Sequence, residues 1–214
     1  MSQEIEPKIV GIVPAAGASK RMGRPKALLE LRGATFARRV VRALAGGGCA
    51  VVYFVTAEHD EDTSRIARDA GAVVLTNPDP GEGPITSLRL ALQHLDSSVE
   101  AAVYLPLDYA LIEAEHVALL LAVAAREHAD LALPMVGGKR GHPAYFGRAL
   151  FRELADPELA GGARSVVHRH LGRACLVQSE DPAFVTDIDT PAAYEEAVRL
   201  DAGSRGARLG TAHE

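Results

Sequence analysis

A short segment near the amino terminus combines small residues with clustered positive charges. The stretch from Val13 to Lys26 reads VPAAGASKRMGRPK, and four Lys or Arg side chains fall within seven of its residues. Small residues let the backbone approach a ligand closely, and a turn there can direct several N–H groups at one anion. The spacing matches neither the Walker phosphate loop nor the dinucleotide pattern Gly-x-Gly-x-x-Gly. A polyphosphate-binding loop and a solvated basic turn both remain open on this composition.

Carboxylates follow two later apolar segments. Asp108 comes just after the apolar run that ends at Leu105. Asp187 and Asp189 lie at the end of a second apolar segment, which begins at Phe184. Ligands of open parallel sheets bind outside the carboxyl ends of the strands, and Mg²⁺ commonly takes one or two carboxylates together with phosphates. We therefore expect Asp108 to bind Mg²⁺ with Asp187 as a second ligand, and we assign Asp189 to capping the next helix. A structural role in a turn or cap stays open for each of them.

Glycine-rich turns in the second half of the chain carry further candidate anion contacts. His142 lies in the turn GKRGHP, and Arg164 follows Gly161 and Gly162 at a predicted helix start. The N-terminus of a helix favours anions, so Arg164 and His142 are candidates for contact with a phosphorylated second substrate. An ordinary surface loop is the alternative.

The elements that must position these residues alternate between short apolar strands and longer amphipathic helices. This alternation is typical of an α/β fold with a mostly parallel central sheet and helices on both faces, arranged in three layers. The predicted strands are 9–13, 50–56, 72–76, 101–105, 131–135, 145–146 and 184–187. The predicted helices are 35–45, 62–70, 84–95, 113–127, two short helices separated by Gly161 and Gly162, and 190–200.

Length and charge restrict the classes of protein to consider. A chain of 214 residues buries about 70% of its unfolded surface as one domain. We predict one domain over residues 1–200, with an acceptor-side subregion at about 137–172 and a flexible tail at 201–214. The net charge of −5 argues against a general nucleic-acid partner. No signal peptide or membrane span is visible and two cysteines do not form a disulfide framework, so we expect a cytoplasmic protein without a membrane partner.

Taken in order, these motifs resemble those of the MobA-like nucleotidyltransferases, and in particular the molybdenum-cofactor cytidylyltransferase branch. The resemblance extends from residue 9 to about residue 200 and implies a Rossmann-like nucleotidyltransferase fold. Its parts are Ala15 to Gly23 with Lys26, Thr86-Ser87-Leu88, Asp108, Gly141-His142-Pro143, Gly162 to Ser165, and Asp187 to Pro191.

The resemblance implies roles for these residues in transfer of a nucleoside monophosphate from CTP or another NTP. The donor would be CTP because Ala-Ala-Gly in the first loop resembles the CTP-using branch. Arg21, Lys26 and Asp108 would be catalytic, Asp108 and Asp187 would hold Mg²⁺, and His142 and Arg164 would bind a phosphorylated small-molecule acceptor, with a pterin favoured. An apo-molybdoenzyme is a further implied partner. The nucleotide-binding residues would be Ala15, Ala16, Gly17, Ala18, Ser19, Arg21, Lys26 and Ser87.

The chain departs from the family pattern next to the implied metal ligand. Where the family has Asp-Met-Pro, this sequence has Asp108-Tyr109-Ala110, and Pro14 replaces a small or apolar residue at the end of the first strand. These changes bear on the identity of the acceptor. Two alternatives therefore stay open: a nucleotidyltransferase for a sugar phosphate or another small phosphorylated acceptor, and a non-catalytic protein of the same fold that binds a nucleotide or escorts a cofactor.

Overall fold

The computed structural model describes residues 8–17, 19 and 21–209, with side chains up to residue 200. The expectations for Ala18 and for residues 210–214 fall outside this part of the chain, as does Lys20 of the basic segment.

Ten strands and seven α-helices make up the described fold. The strands are β1 (Lys8–Pro14), β2 (Glu30–Leu31), β3 (Ala34–Thr35), β4 (Val51–Ala57), β5 (Val73–Asn77), β6 (Val99–Tyr104), β7 (Leu131–Val136), β8 (Lys139–Arg140), β9 (Ala144–Gly147) and β10 (Cys175–Gln178). The helices are α1 (Phe36–Gly46), α2 (Glu61–Asp69), α3 (Pro84–Gln93), α4 (Ala114–Arg126), α5 (Phe151–Leu154), α6 (Gly162–His170) and α7 (Pro191–Leu209). None of the helices that the structure describes is long and apolar enough to cross a membrane.

The central sheet is mostly parallel and has the order β10-β7-β9-β6-β1-β4-β5, with β8 paired to β7. β1 pairs in parallel with both β4 and β6. β9 runs antiparallel between β6 and β7, so Ala144 at its start pairs with Tyr104 at the end of β6. The start of β9 and the carboxyl ends of β1 and β6 therefore lie along one edge of the sheet.

Helices cover both faces of this sheet, which confirms the predicted three-layer α/β architecture. One hydrophobic cluster contains Phe36 and Leu44 of α1 with Val117 and Leu120 of α4. The cluster on the other face contains Leu88 of α3 together with residues of α5 and α6. The strands are apolar on both faces because each face packs against a helical layer.

Capping explains several helix starts. The Thr35 side chain accepts a hydrogen bond from the Arg38 backbone N–H at the start of α1, as predicted. Asp60 does the same for α2 through the Thr63 N–H. Pro84 occupies the first turn of α3, where the missing N–H removes no helical hydrogen bond.

Three element predictions in the last third of the chain were wrong. Residues Pro182–Val185 form a 3₁₀ helix where a strand was predicted, because the Asp181 side chain caps Ala183 N–H and Pro182 favours a helical turn. Strand β10, which pairs in parallel with β7, was missed. Helix α7 continues to Leu209 and does not end at residue 200.

Candidate active site

The loop after β1 is held in place by its own backbone and by Ser19. The Ser19 carbonyl accepts hydrogen bonds from the N–H groups of Met22 and Gly23, and the Ser19 hydroxyl accepts one from the Lys26 N–H at 3.2 Å. The Met22 side chain is buried in the hydrophobic core and anchors the turn there. The loop therefore brings Lys26 back towards the carboxyl end of β1.

Lys26 lies between two carboxylates. Its Nζ is 3.3 Å from Asp108 Oδ2 and is also paired with Asp189 Oδ1. Arg21, which is largely exposed, pairs with the other oxygen of Asp189. Two cations from the loop after β1 thus face two carboxylates from later loops, and the four side chains form a compact charged cluster.

Asp108 has an unsatisfied oxygen in this cluster. Burial raises the pKa of Asp108, while the neighbouring Lys26 ammonium acts in the opposite direction. Oδ2 faces Lys26, but Oδ1 is buried without a hydrogen-bond partner in the described part of the chain. A buried carboxylate oxygen without a partner fits a cation ligand, since such a group is costly to leave unpaired.

The two later aspartates lie in different surroundings. Asp189 is buried and pairs with Lys26 and Arg21, so its assignment as a helix cap is wrong. The cap is instead the Thr190 hydroxyl, which accepts a hydrogen bond from Ala193 N–H. Asp187 is exposed and is absent from the lining of the cleft described below. Residues two apart in a regular strand would share one face, so the different surroundings of Asp187 and Asp189 reflect the irregular backbone of this segment.

A second contact fixes the segment that carries Asp189. The Ile188 N–H donates a hydrogen bond to the Asp108 carbonyl at 2.8 Å. The loops after β6 and before α7 are therefore joined directly beside their carboxylates.

A cleft of about 1410 Å³ opens at this edge of the sheet. It brings together nearly all of the described residues that the sequence analysis selected. They are Ala15, Ala16, Gly17, Ser19, Arg21, Lys26, Ser87, Asp108, His142 and Arg164.

Not every cation of the basic segment faces the cleft. The Arg24 guanidinium lies 5.1 Å from the ring centroid of Tyr194 on α7, in a cation–π contact. The Tyr194 hydroxyl in turn donates a hydrogen bond to the Glu30 carbonyl. Arg24 therefore attaches the loop to α7, and Arg21 and Lys26 provide the described positive charge of the cleft from this segment.

Ser87 is held by a residue that the sequence analysis did not select. Asn77, at the end of β5, is buried and its amide donates hydrogen bonds to the hydroxyls of Ser87 at 3.1 Å and Thr86 at 2.8 Å. This contact fixes the start of α3 at the cleft wall.

The side of the cleft next to β9 has an aromatic character. The His142 ring meets the Tyr109 ring edge-on, with centroids 4.6 Å apart, and lies 6.0 Å from the Tyr104 ring. Burial lowers the pKa of His142 to about 4, against the effect of a hydrogen bond to the Tyr104 backbone, so the ring is neutral at neutral pH. Its Nδ1 atom is buried and has no partner among the described residues.

The far side of the cleft is formed by α6 and by Arg89 of α3. Arg164 and Ser165 lie in the first turn of α6. Arg89 donates a hydrogen bond from Nη2 to the Asp156 carbonyl at 2.7 Å and thereby holds the loop before α6 against α3. The position of Arg89 within a predicted helix gave no reason to select it as a candidate site residue.

Comparison with known proteins agrees with the motifs. The model of the MobA-like NTP transferase domain matches residues 11–175, which is most of the chain. The chain belongs to the MobA-like NTP transferase family. Both the loop after β1 and the loop that carries Asp108 fall inside the matched range.

Individual relatives of this MobA-like protein have differing names. It is 27% identical over 135 residues to a probable molybdenum cofactor guanylyltransferase from Bacillus mycoides, covering 62% of this chain and 64% of that protein. It is 31% identical over 132 residues to nicotine blue oxidoreductase from Paenarthrobacter nicotinovorans, covering 48% of this chain and 65% of that protein. The chain thus spans 64% of the length of the first of these curated relatives.

Solved structures support the fold. A nucleotidyl transferase from Methanothermobacter superposes with a TM-score of 0.75 at 21% identity, covering 92% of this chain and 99% of that chain. At this level of identity the likeness shows a shared fold and nothing about the substrate.

Proposed function

We propose that this MobA-like protein transfers a nucleoside monophosphate, CMP by preference, from an NTP to a phosphorylated small-molecule acceptor and releases pyrophosphate. The favoured acceptor is the phosphorylated pterin of the molybdenum cofactor. The observation that carries the proposal is the convergence of Lys26 and Arg21 with Asp108 and Asp189 at the mouth of one cleft. The guanylyltransferase name of the Bacillus relative supports the reaction class.

In the proposed reaction, an oxygen of the acceptor phosphate attacks the α-phosphorus of the NTP. The new P–O bond forms as the bond between the α-phosphorus and the oxygen bridging to the β-phosphate breaks, and that oxygen leaves with pyrophosphate. The reaction brings two anions together, so alignment and charge neutralisation provide most of the rate enhancement. Lys26 and Arg21 would leave their carboxylates and contact the phosphates of the NTP, balancing the charge that develops on pyrophosphate.

Asp108 and Asp189 would hold Mg²⁺. The unpartnered Oδ1 of Asp108 fits this role, and so does the proximity of a second carboxylate around the same lysine. Among the described residues no three or more His, Cys, Asp or Glu side chains form a metal-binding group. A site of one or two carboxylates is nevertheless sufficient for Mg²⁺, which takes its remaining ligands from phosphates and water. When bound, the ion would supply electrostatic stabilisation of the phosphate oxygens.

The preference for CTP rests on the first loop. Ala15 and Ala16 are both buried and line the cleft. The Ala-Ala-Gly sequence of this loop resembles the CTP-using branch of the family, whereas the GTP-using branch has Ala-Gly-Gly, and this resemblance supports CTP as the donor.

Pyrophosphate release tests the proposal. The protein is incubated with Mg²⁺, each of CTP, GTP, UTP and ATP, and either molybdopterin or glucose 1-phosphate. We expect release with CTP and molybdopterin. Faster release with GTP would contradict the base preference, and release with glucose 1-phosphate alone would contradict the pterin acceptor. Thermal stabilisation by an NTP without pyrophosphate release in any combination would indicate a non-catalytic nucleotide-binding protein.

Variants of the three aspartates test the metal assignment within the same assay. Asp108→Ala should lower the rate on the order of 10²–10³-fold, because it removes a preorganised charged group at the reacting phosphates. Asp189→Ala should have a similar effect, whereas Asp187→Ala should change the rate less than about threefold because Asp187 lies outside the cleft. A larger loss for Asp187→Ala than for Asp189→Ala would restore Asp187 as the second ligand.

A further inference from the structure

Tyr109 is the residue by which this chain departs most clearly from the family pattern it otherwise follows. It stands directly after Asp108, where the resemblance to the family pattern Asp-Met-Pro would place a methionine. Methionine has no hydrogen-bond donor, whereas tyrosine adds a hydroxyl group and a rigid ring. The substitution therefore introduces new chemistry one residue away from a proposed metal ligand.

Two successive turns fix the backbone at this position. The Tyr109 N–H donates a hydrogen bond to the Pro106 carbonyl at 3.1 Å, and the Tyr109 carbonyl accepts one from the Ile112 N–H at 3.1 Å. The adjacent Asp108 carbonyl is held by Ile188. The direction in which the Tyr109 side chain leaves the backbone is therefore well defined.

The Tyr109 ring is placed by packing, and its hydroxyl is available. The ring is half-buried and meets the His142 ring edge-on at a centroid separation of 4.6 Å. Tyr109 and His142 both line the cleft. Within the described part of the chain, the Tyr109 hydroxyl makes no hydrogen bond to another residue, so the donor remains free for a ligand.

The order of the strands indicates which substrate this donor would meet. The proposed NTP contacts come from the loop after β1, which lies on one side of β6 in the sheet. His142 lies two residues before β9, which is on the other side of β6. The contact between Tyr109 and His142 therefore lies on the β9 side of Asp108, away from the loop that would hold the triphosphate.

We propose that Tyr109 is an acceptor-binding residue whose hydroxyl donates a hydrogen bond to an oxygen of the acceptor phosphate, while His142 holds its ring in place. The inference rests on the proposed function, because it assigns one contact of that same site. It predicts that the residue affects use of the acceptor and leaves binding of the NTP unchanged.

Two substitutions separate the hydroxyl from the ring. Tyr109→Phe removes only the hydroxyl, and Tyr109→Met installs the residue of the family pattern. Tyr53→Phe is the matched control, since it removes a tyrosine hydroxyl on β4 that does not line the cleft. The measurements are steady-state pyrophosphate release with molybdopterin and with glucose 1-phosphate, the dissociation constant of CTP by calorimetry, and the melting temperature.

We expect Tyr109→Phe to raise the KM for the acceptor about tenfold, equivalent to 1.4 kcal/mol, with the CTP dissociation constant and the melting temperature unchanged. Tyr109→Met should raise the acceptor KM at least as much, and Tyr53→Phe should alter neither substrate's constants. A purely structural role would lower the melting temperature and weaken CTP binding together.

The outcomes distinguish this inference from the proposed function. If the wild-type protein is active and neither Tyr109→Phe nor Tyr109→Met changes the acceptor KM from the wild-type value, the inference is overturned and the nucleotidyl transfer stands. A loss confined to CTP binding also overturns it. A wild-type protein that releases no pyrophosphate with either acceptor overturns the proposed function, and the inference is then overturned with it.

Discussion

At the scale of single residues, the position of Lys26 would couple the proposed binding of Mg²⁺ to the proposed binding of the NTP. Its ammonium group pairs with both Asp108 and Asp189, and those carboxylates are the proposed ligands of Mg²⁺. A divalent cation and Lys26 would therefore compete for the same negative charge. Binding of an NTP would relieve this competition, because its phosphates would offer Lys26 a new partner.

Replacing Lys26 with Gln should therefore change the affinity for Mg²⁺ and the rate of pyrophosphate release in opposite directions. Without the competing ammonium group, we expect Mg²⁺ to bind the free protein roughly tenfold more tightly, which is about 1.4 kcal/mol. Pyrophosphate release should nevertheless fall by about 10², since a cation at the leaving group is lost. Calorimetric titration with Mg²⁺ and the release assay measure the two effects. Lys8→Gln is the control, because it removes the same charge from an exposed pair with Asp96 at the other end of β1. Weaker Mg²⁺ binding in Lys26→Gln would contradict the competition.

At the scale of the elements, a close approach of two backbone segments holds the turn before β9. Gly141 N–H donates a hydrogen bond to the Pro134 carbonyl, and His142 N–H donates one to Phe184 carbonyl at 2.8 Å. A Cβ atom on Gly141 would lie 1.8 Å from that Phe184 oxygen, so a side chain cannot be accommodated without moving the backbone. The 3₁₀ helix Pro182–Val185 is therefore packed directly against the turn that presents His142.

Gly141→Ala should disturb both sides of this contact. We expect a loss of about 1–3 kcal/mol in the free energy of unfolding, as for other overpacked sites. The melting temperature should fall by roughly 2–4 °C for each kcal/mol in a protein of this size. Gly172→Ala provides the comparison, because a Cβ there meets nothing within 4 Å. Equal melting temperatures for the two variants would show that the turn adapts without cost.

The same elements show how far the sequence could predict this fold. The parallel strands β1, β4, β5, β6 and β7 were predictable because each is a short, nearly continuous apolar run. The placement of β9 between β6 and β7 depends on tertiary pairing, such as Ala102 with Phe146, which no local pattern encodes. The 3₁₀ helix was missed because the apolar run at Phe184 and Val185 resembles a strand, while its start is determined by the preceding Asp-Pro.

The clustering of the candidate site residues was predictable in outline for a similar reason. Ends of parallel strands meet at one edge of the sheet, so Lys26 and Asp108 could be expected to lie close together. The choice between Asp187 and Asp189 depends on which way an irregular segment turns, and neither spacing nor residue type determines that. Tyr109 was visible as a departure from the family pattern, but its contact with His142 requires the folded position of β9.

At the scale of the whole molecule, the central sheet separates two hydrophobic clusters, and Cys49 lies in one of them. Cys49 precedes β4 and is buried among residues of α1 and α4. Burial raises the pKa of its thiol to about 12. The thiolate is the reactive form, so the folded protein should protect Cys49 twice, by excluding the reagent and by keeping the proton on sulfur. Cys175 is only partly buried and lies at the start of β10.

Modification of Cys49 should therefore report global unfolding. In a Cys175→Ser variant at pH 8, we expect the labelling rate with iodoacetamide to follow the unfolding equilibrium measured by circular dichroism. CTP with Mg²⁺ at 100 times its dissociation constant should slow labelling about 100-fold, because a ligand that binds the folded state stabilises it by about 2.7 kcal/mol. Above about pH 8.5 the Cys49 thiol ionises in the unfolded chain but stays protonated in the folded one. The free energy of unfolding should therefore fall as the pH rises above this value. Labelling that is fast in native protein and insensitive to CTP would show that α1 and α4 open locally, without unfolding of the sheet that positions the site.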